Sequence, residues 1–360
     1  MEKILFAENK KYYKNLGIMD YFNKNKYILE FNGMKNYKIT DKEIKKYSAV
    51  VSFNYTSPLV NFLILKAKKN GIKTILMSDG IIDWANLFDN PKQKKYDLDL
   101  YHPIIHDYFF CLGEEEKDYF DFLGNDTEQY MLNRIISNKD KLDLPNNEKF
   151  LITTANTAYF NDSERDHLEK ILKKVIKILD EMNINYIFRI FDEYLINNLD
   201  IQSENNYDDG NFDSVLSKVD FVITTPSSIT INAMYHDRPV AQLIYRDTPM
   251  FVQSGWNINM GNNIEQTINS ILKKDKNRIN FQNWQVEKYI NVKSEKKIID
   301  VLDSDDINGS KKIENFININ LYNLINSKYN FNLEYFVRKV YLKFKKNKYF
   351  KKLFNIIDNL

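Results

Sequence analysis

A short segment in the second half of the chain combines a predicted helix start with two adjacent hydroxyl side chains. The apolar run 221–224 is followed by TPSS at 225–228, where a helix is predicted to begin. Backbone N–H groups at a helix start lack partners within the helix and carry partial positive charge, which favours a bound anion. Ser227 and Ser228 add hydroxyl donors, although either could simply cap the helix. Asn232 shares a helix face with Ser228 and could reach a ligand hydroxyl or face solvent.

A second segment that could carry chemistry follows the apolar run 74–77, where Asp79 precedes Gly80. A carboxylate at the carboxyl end of a parallel strand is well placed to act on a ligand, and glycine lets the backbone approach closely. Asp79 could therefore take a proton from a hydroxyl group, or it could belong to a plain Asx turn. Asp83 and Trp84 could contact a ligand through a carboxylate and an indole face, although Trp84 could equally belong to the core.

Four further side chains have two open interpretations. His102 and His106 could each act as a base or a neutral donor near pH 7, or could pack as loop histidines beside aromatic rings. Arg189, near the end of a predicted strand, could clamp a phosphate or carboxylate or could pair with acidic neighbours. Arg246 follows another predicted strand and has the same ambiguity.

The elements that must position these residues alternate between strand and helix. Apolar runs predict strands at 3–8, 27–31, 49–54, 74–78, 108–112, 150–154, 185–190, 221–224 and 239–245. Helical patterns lie at 57–71, 113–124, 163–182, 227–235 and 281–290. Two successive sets of this kind predict an α/β protein with two Rossmann-like, doubly wound domains that face a cleft.

The domain boundaries follow from changes in composition. Residues 137–149 are polar and form the predicted linker between an N-terminal domain at 1–136 and a C-terminal domain at 150–295. Residues 296–360 form a predicted helical extension with a basic end, since 331–360 contain eight Lys or Arg and two acidic residues.

Composition excludes several classes of protein. The 360 residues are 43% hydrophobic and 28% charged, as in a globular protein, and the net charge of +2 gives no support for whole-protein binding to nucleic acid. One cysteine and four histidines exclude a disulfide scaffold and a cysteine-based zinc site. Because the chain lacks a long apolar run, we expect a cytoplasmic protein without a signal peptide or membrane span.

Missing motifs narrow the chemistry further. The sequence has no glycine-rich dinucleotide fingerprint, no P-loop, no HExxH and no GxSxG, which disfavours oxidoreductases, kinases, zincins and typical α/β-hydrolases. Asp97 and Asp99 match a metal-binding DxD pattern. Such short acidic patterns are frequent by chance, and this one follows a lysine-rich loop, so no metal site is predicted.

The segment 217–245 resembles the nucleotide-binding half of GT-B glycosyltransferases, particularly those that build bacterial capsule and lipopolysaccharide. The resemblance rests on a strand, TPSS, a helix containing AM, a short turn, RPV and another strand. It extends over about 150–295, including Asp220 and the helix 281–290. In the first domain, Asp79 and Gly80 resemble the Asp-Gly motif of Kdo-type capsule transferases. Asn232 stands where many such enzymes carry a ribose-binding glutamate.

This resemblance implies transfer of a sugar from a nucleotide-activated donor to a growing bacterial surface glycan, a capsule or lipopolysaccharide. It implies donor-binding roles for Thr225, Ser227, Ser228, Asn232 and Arg189. Asp79 is the expected base, with His102 as a second catalytic candidate. The expected acceptor-binding residues are Gly80, Asp83 and Trp84.

The expected partners are a nucleotide-sugar donor and a glycan or glycolipid acceptor, with no cofactor, no metal and no nucleic acid. The basic, aromatic segment 331–360 could bind the anionic inner face of the plasma membrane or pack on the protein. Two alternatives remain open: a non-hydrolysing sugar-nucleotide epimerase, and a non-catalytic nucleotide-sugar-binding subunit of a polysaccharide assembly complex.

Overall fold

The first half of the chain forms a parallel β-sheet in the computed structural model, which describes residues 1–22, 26–55, 57–94, 99–102, 104–137 and 139–304. Within these residues its strands are β1 (Glu2–Phe6), β2 (Tyr27–Glu30), β3 (Ala49–Ser52), β4 (Lys73–Met77), β5 (Tyr108–Cys111) and β6 (Thr127–Gln129). They lie in the order β2-β1-β3-β4-β5-β6. Every residue of β3 and β4 is buried, as expected for strands covered on both faces.

The second half repeats this topology. The strands of its sheet are β7 (Phe150–Thr153), β8 (Tyr186–Arg189), β9 (Phe221–Thr224), β10 (Val240–Leu243) and β11 (Trp256–Ile258). They are parallel and lie in the order β11-β10-β9-β7-β8. In both sheets the chain moves first to one side of the starting strand and then to the other. The switch points therefore lie between β1 and β3 and between β7 and β9, where open α/β sheets bind ligands.

All the strands predicted from apolar runs are present, with ends shifted by at most two residues. β6 and β11 are additional edge strands that the sequence analysis did not predict. Each has three residues that include polar side chains, so neither forms an apolar run. These edge strands are held by backbone pairing to β5 and β10.

Helices cover the sheets. In the described residues they are α1 (Lys10–Leu16), α2 (Asp41–Ile44), α3 (Pro58–Lys69), α4 (Trp84–Phe88), α5 (Pro91–Lys94), α6 (Glu114–Phe122), α7 (Asp162–Glu181), α8 (Glu193–Asn198), α9 (Phe212–Leu216), α10 (Ile229–Tyr235), α11 (Ile264–Leu272), α12 (Lys276–Ile290) and α13 (Ser294–Asp303). None of these helices combines the length and apolarity that crossing a bilayer requires.

The chain returns to its first domain after completing the second. α13 packs its apolar side into the core of the first domain through Ile298, Val301 and Leu302. The ammonium group of Lys73 in β4 donates to the carbonyl oxygens of Val301 and Leu302, at 2.9 and 2.8 Å. Residues 305–360, which hold most of the predicted basic extension, lie outside the described residues.

A buried ion-pair network joins the two domains beside the cleft. Arg246, which follows β10, reaches Asp83 of the first domain at 3.3 Å and Glu164 of its own domain at 3.2 Å. All three side chains are less than 15% exposed. Asp83 also caps α4 by accepting from the N–H of Asn86 at 2.9 Å. This network ties the segment after β4 to the second domain.

Replacing Arg246 with methionine should destabilise the protein by about 3 kcal/mol, because two buried carboxylates would lose their shared partner. Chemical denaturation followed by circular dichroism would measure the loss. Arg165→Met is the matched control: Arg165 pairs with exposed Asp162 and Asp166, so its removal should change stability little. An equal, small effect of both substitutions would contradict a stabilising role for the buried network.

Candidate active site between the two sheets

A cavity of about 610 Å³ lies between the two domains. Its walls come from segments that follow the carboxyl ends of strands: 79–83 after β4, 154–157 after β7, Arg189 and Phe191 at the end of β8, and 226–229 after β9. The segments after β7 and β9 flank the switch point of the second sheet. The cavity therefore lies where the predicted architecture would place a ligand, between the two domains and at the carboxyl ends of their strands.

The serine pair lies on the wall of this cavity, but the helix start differs from the prediction. The Oγ atom of Ser227 accepts from the N–H of Ile229 at 3.3 Å, and its carbonyl oxygen accepts from the N–H of Thr230 at 3.0 Å. Two of the N–H groups expected to be free for an anion are therefore already bonded. α10 itself has only seven residues. Ser228 makes no side-chain cap bond, so its hydroxyl can donate into the cavity.

Thr225 supports the cavity wall from behind. It is buried, and its Oγ1 atom accepts from the N–H of Ala155 at 2.8 Å. This bond joins the segments after β7 and β9. The Thr225 hydroxyl therefore contacts protein, and Thr225 does not line the cavity. The predicted role in binding the nucleotide-sugar donor would require contact with the ligand.

Asn232 contacts the first domain through its side-chain nitrogen, while its side-chain oxygen has no hydrogen-bond partner. Its side-chain amide donates to the carbonyl oxygen of Ile135 at 2.5 Å and lies 3.3 Å from Asp213. Its Oδ1 atom is buried and has no protein partner, although the residue lines the cavity. An unpaired buried acceptor is costly, so this atom is suited to a hydroxyl group of a ligand.

Arg189 is a buried cation at the far wall of the cavity. Its terminal nitrogens donate to carbonyl oxygens of Tyr207, Asp209 and Gly210, and only 8% of the residue is exposed. It forms no ion pair with the residues that the structure describes, and its Nε–H has no protein partner. Burial lowers the pKa of its guanidinium, an effect that nearby acidic residues in the 207–210 loop partly offset.

Some of the unpaired buried side-chain atoms of the described residues belong to this cavity, and the others lie elsewhere in the protein. Four residues that line it each carry a buried polar side-chain atom without a hydrogen-bond partner: Thr154 Oγ1, Arg189 Nε, Asn232 Oδ1 and Arg246 Nε. Native proteins satisfy most buried polar groups, so a set gathered around an open cavity indicates a place for a polar ligand. Three of the four atoms can donate, which favours an anionic or oxygen-rich ligand.

Asp79 faces this group from the first domain. Its side chain is exposed, and its Oδ2 atom accepts from the hydroxyl of Tyr12 at 3.1 Å. Burial and the nearby Asp79 carboxylate raise the pKa of Tyr12 well above its usual range, so Tyr12 stays a proton donor. The guanidinium of Arg134 donates to the backbone carbonyl oxygen of Asp79. Asp79 is thus held at its side chain and at its backbone.

Three of the predicted residues lie elsewhere or have another contact. Asp83 lines the cavity but is bonded to Arg246 and Asn86. Trp84 does not line it, is 40% exposed and stacks on Phe88 with ring centroids 5.4 Å apart. His102 is exposed and lies outside the cavity, where the Tyr55 hydroxyl contacts its backbone.

His106 belongs to the core of the first domain. Its Nε2 atom lies 2.8 Å from the Ser52 hydroxyl, and burial lowers its pKa to about 3. The ring is therefore neutral at physiological pH. Of the DxD pattern, Asp97 lies outside the described residues, and Asp99 pairs with Lys94 at 2.6 Å. Among the described residues, no group of three His, Cys, Asp or Glu side chains is arranged to hold a metal ion.

Several residues in or near the cavity were not predicted, among them Tyr12, Arg134, Thr154 and Asp213. Thr154 is the last residue of the predicted strand 150–154, so its position at a strand end could have indicated it. Arg134 is a single cation in the otherwise uncharged run MLNRIIS, a weaker signal. Tyr12 meets Asp79 across 67 residues of sequence, and only the sheet order brings them together.

Comparison with known proteins identifies the type of fold that this chain adopts. No protein-family model and no curated protein sequence matches the chain. A structure described as a UDP-N-acetylglucosamine 2-epimerase from Listeria monocytogenes matches with 12% identity and a TM-score of 0.58, covering 83% of this chain and 95% of that one. S. aureus MnaA, solved with UDP, matches with 14% identity and a TM-score of 0.54 over the same shares.

The wall teichoic acid polymerase TagF matches with 17% identity and a TM-score of 0.50, covering 83% of this chain and 88% of that one. At these identities the similarity concerns the fold. The chain therefore has a GT-B-like fold of two Rossmann-like domains facing a cleft, as the resemblance in its sequence implied.

Proposed function

We propose that this protein is a glycosyltransferase that moves a sugar from a nucleotide-activated donor to a bacterial surface glycan, of the capsule or lipopolysaccharide kind. The observation that carries the proposal is the set of unpaired buried polar atoms around the cavity, opposite the exposed carboxylate of Asp79. A nucleotide sugar has the phosphates and hydroxyl groups that such atoms would bind.

The second domain supplies the donor side of the reaction in this proposal. Arg189 and the hydroxyls of Ser227 and Ser228 would bind the phosphates, and Asn232 Oδ1 would accept from a sugar or ribose hydroxyl. Charge-assisted hydrogen bonds of this kind are about twice as strong as neutral ones. They also stabilise negative charge that grows on a leaving phosphate, which is the main electrostatic demand of the reaction.

The first domain supplies the base. As the acceptor oxygen bonds to the anomeric carbon, the bond from that carbon to the donor phosphate breaks and its electron pair stays on the phosphate. The acceptor proton passes to Asp79. Tyr12 occupies Oδ2 of this carboxylate, so Oδ1 is the oxygen that would receive the proton. Metal-independent transfer remains a prediction.

A non-hydrolysing sugar-nucleotide epimerase is the second candidate, because two of the matching structures are MnaA with UDP and a protein described as a UDP-N-acetylglucosamine 2-epimerase. A transferase needs an acceptor to convert the nucleotide sugar, whereas an epimerase does not. A non-catalytic nucleotide-sugar-binding subunit would leave the nucleotide sugar unchanged with or without an acceptor. The proposed glycolipid acceptor and inner-membrane contact would involve 331–360, which lie outside the described residues.

A thermal-shift panel of CMP, CDP, UDP, GDP and dTDP tests donor binding. We expect at least one diphosphate to raise the melting temperature, because a ligand that binds only the folded state stabilises it. The Ser227→Ala/Ser228→Ala double variant should lose most of that shift. If no nucleotide shifts the wild-type protein at millimolar concentration, the proposed function is wrong.

Asp79→Asn should lower sugar transfer by at least about 100-fold while nucleotide affinity stays unchanged, because the amide cannot accept the proton. Chromatography of the nucleotide sugar, with and without a glycan acceptor, measures conversion. Asp89→Asn is the matched control, since Asp89 is an exposed acid outside the cavity. Conversion to an isomer without acceptor would favour the epimerase, and full transfer by Asp79→Asn would exclude Asp79 as the base.

A further inference from the structure

Arg134 lies on the first-domain side of the cavity and carries an exposed guanidinium. One terminal nitrogen donates to the backbone carbonyl oxygen of Asp79. Among the described residues, no carboxylate forms an ion pair with Arg134. Its remaining N–H groups and its full charge are therefore available to a ligand.

Gly80 marks the narrow gap between Arg134 and the serine pair. A Cβ atom placed on Gly80 would lie 3.5 Å from Ser228 Oγ and 4.0 Å from the terminal nitrogen of Arg134 that also donates to the Asp79 carbonyl. A hydroxyl donor of the second domain and a guanidinium of the first domain thus approach the same point. Gly80 has no side chain to occupy it.

The charges around the cavity distinguish its arginines. Arg246 is neutralised by Asp83 and Glu164. Arg189 and Arg134 form no ion pair in the described part of the chain, and they come from opposite domains. The cavity therefore presents one cation without an ion-pair partner from each side, together with the carboxylates of Asp79 and Asp213, so a ligand with more than one negative charge would lie against the two arginines.

We propose that Arg134 and Ser228 bind the same phosphate group of the ligand, so that a diphosphate bridges the two domains. This inference rests on the proposed function and adds a phosphate contact from the first domain. The planar guanidinium presents paired donors that match phosphate oxygens, and its bond to Asp79 fixes its position. Arg134 would also stabilise the charge on the departing phosphate while keeping the base beside it.

The test compares a diphosphate with its uncharged nucleoside by isothermal titration, using UDP against uridine and CDP against cytidine. Arg134→Gln should weaken diphosphate binding by about ten- to a hundred-fold and leave nucleoside binding unchanged. It should also reduce the salt dependence of diphosphate affinity. Arg165→Gln, which removes a guanidinium outside the cavity that pairs with Asp162 and Asp166, should change neither.

A purely structural role for Arg134 predicts a different result: a lower melting temperature without ligand and unchanged diphosphate affinity once folded. That outcome would overturn the inference. Gly80→Leu gives a second readout if Arg134→Gln does not fold, because its side chain would fill the gap and should likewise weaken diphosphate binding. Unchanged affinity in Gly80→Leu would contradict the shared phosphate position. Failure of the wild-type protein to bind any nucleotide would instead overturn the proposed function.

Discussion

The buried guanidinium of Arg189 is the constraint on which the site depends. A cation removed from water is costly unless charge or hydrogen bonds replace its hydration. Here three backbone carbonyls of the 207–210 loop solvate its terminal nitrogens, its Nε–H has no protein partner, and burial lowers its pKa. A phosphate in the cavity would complete this hydrogen bonding. Thr154 and Asn232, which also line the cavity, likewise carry buried oxygens without a protein partner.

The two domains share a topology but use their switch points differently. Between β1 and β3, the carboxylate of Glu8 accepts from the N–H groups of Phe53 and Asn54, at 3.2 and 2.8 Å, and from the Tyr13 hydroxyl. Burial raises its pKa. This crevice is thus filled by the protein's own acid, which uses the donors that a phosphate would need. In the segments that follow β7 and β9, no described N–H group of 154–157 or 225–229 donates to a carboxylate, although the buried Asp213 also lines the cavity.

Nine of the eleven described strands were predictable because buried parallel strands must be apolar, and the order of elements then implied two facing sheets. Asp79, Gly80, Asp83, Ser227, Ser228, Asn232 and Arg189 do line one cavity, since each lies near the carboxyl end of a strand or in the helix that follows one. His102 does not, because its loop lies away from the cavity. Two N–H groups at the start of α10 that were expected to be free donate to Ser227. Residue spacing alone does not predict such a local contact. The positions of Arg134 and Tyr12 beside Asp79 result from contacts between segments that are distant in the chain, which a single sequence does not show.

The central claim is that Arg189 is positioned to bind an anionic ligand in the cavity. Urea unfolding of wild-type protein and Arg189→Met, each with and without saturating nucleoside diphosphate, tests it most directly. We predict that Arg189→Met lowers the unfolding free energy without nucleotide by about 1–3 kcal/mol, because three carbonyl oxygens lose their donor, and that the further stabilisation by nucleotide is lost in the variant. Undiminished stabilisation by nucleotide in Arg189→Met would contradict the claim.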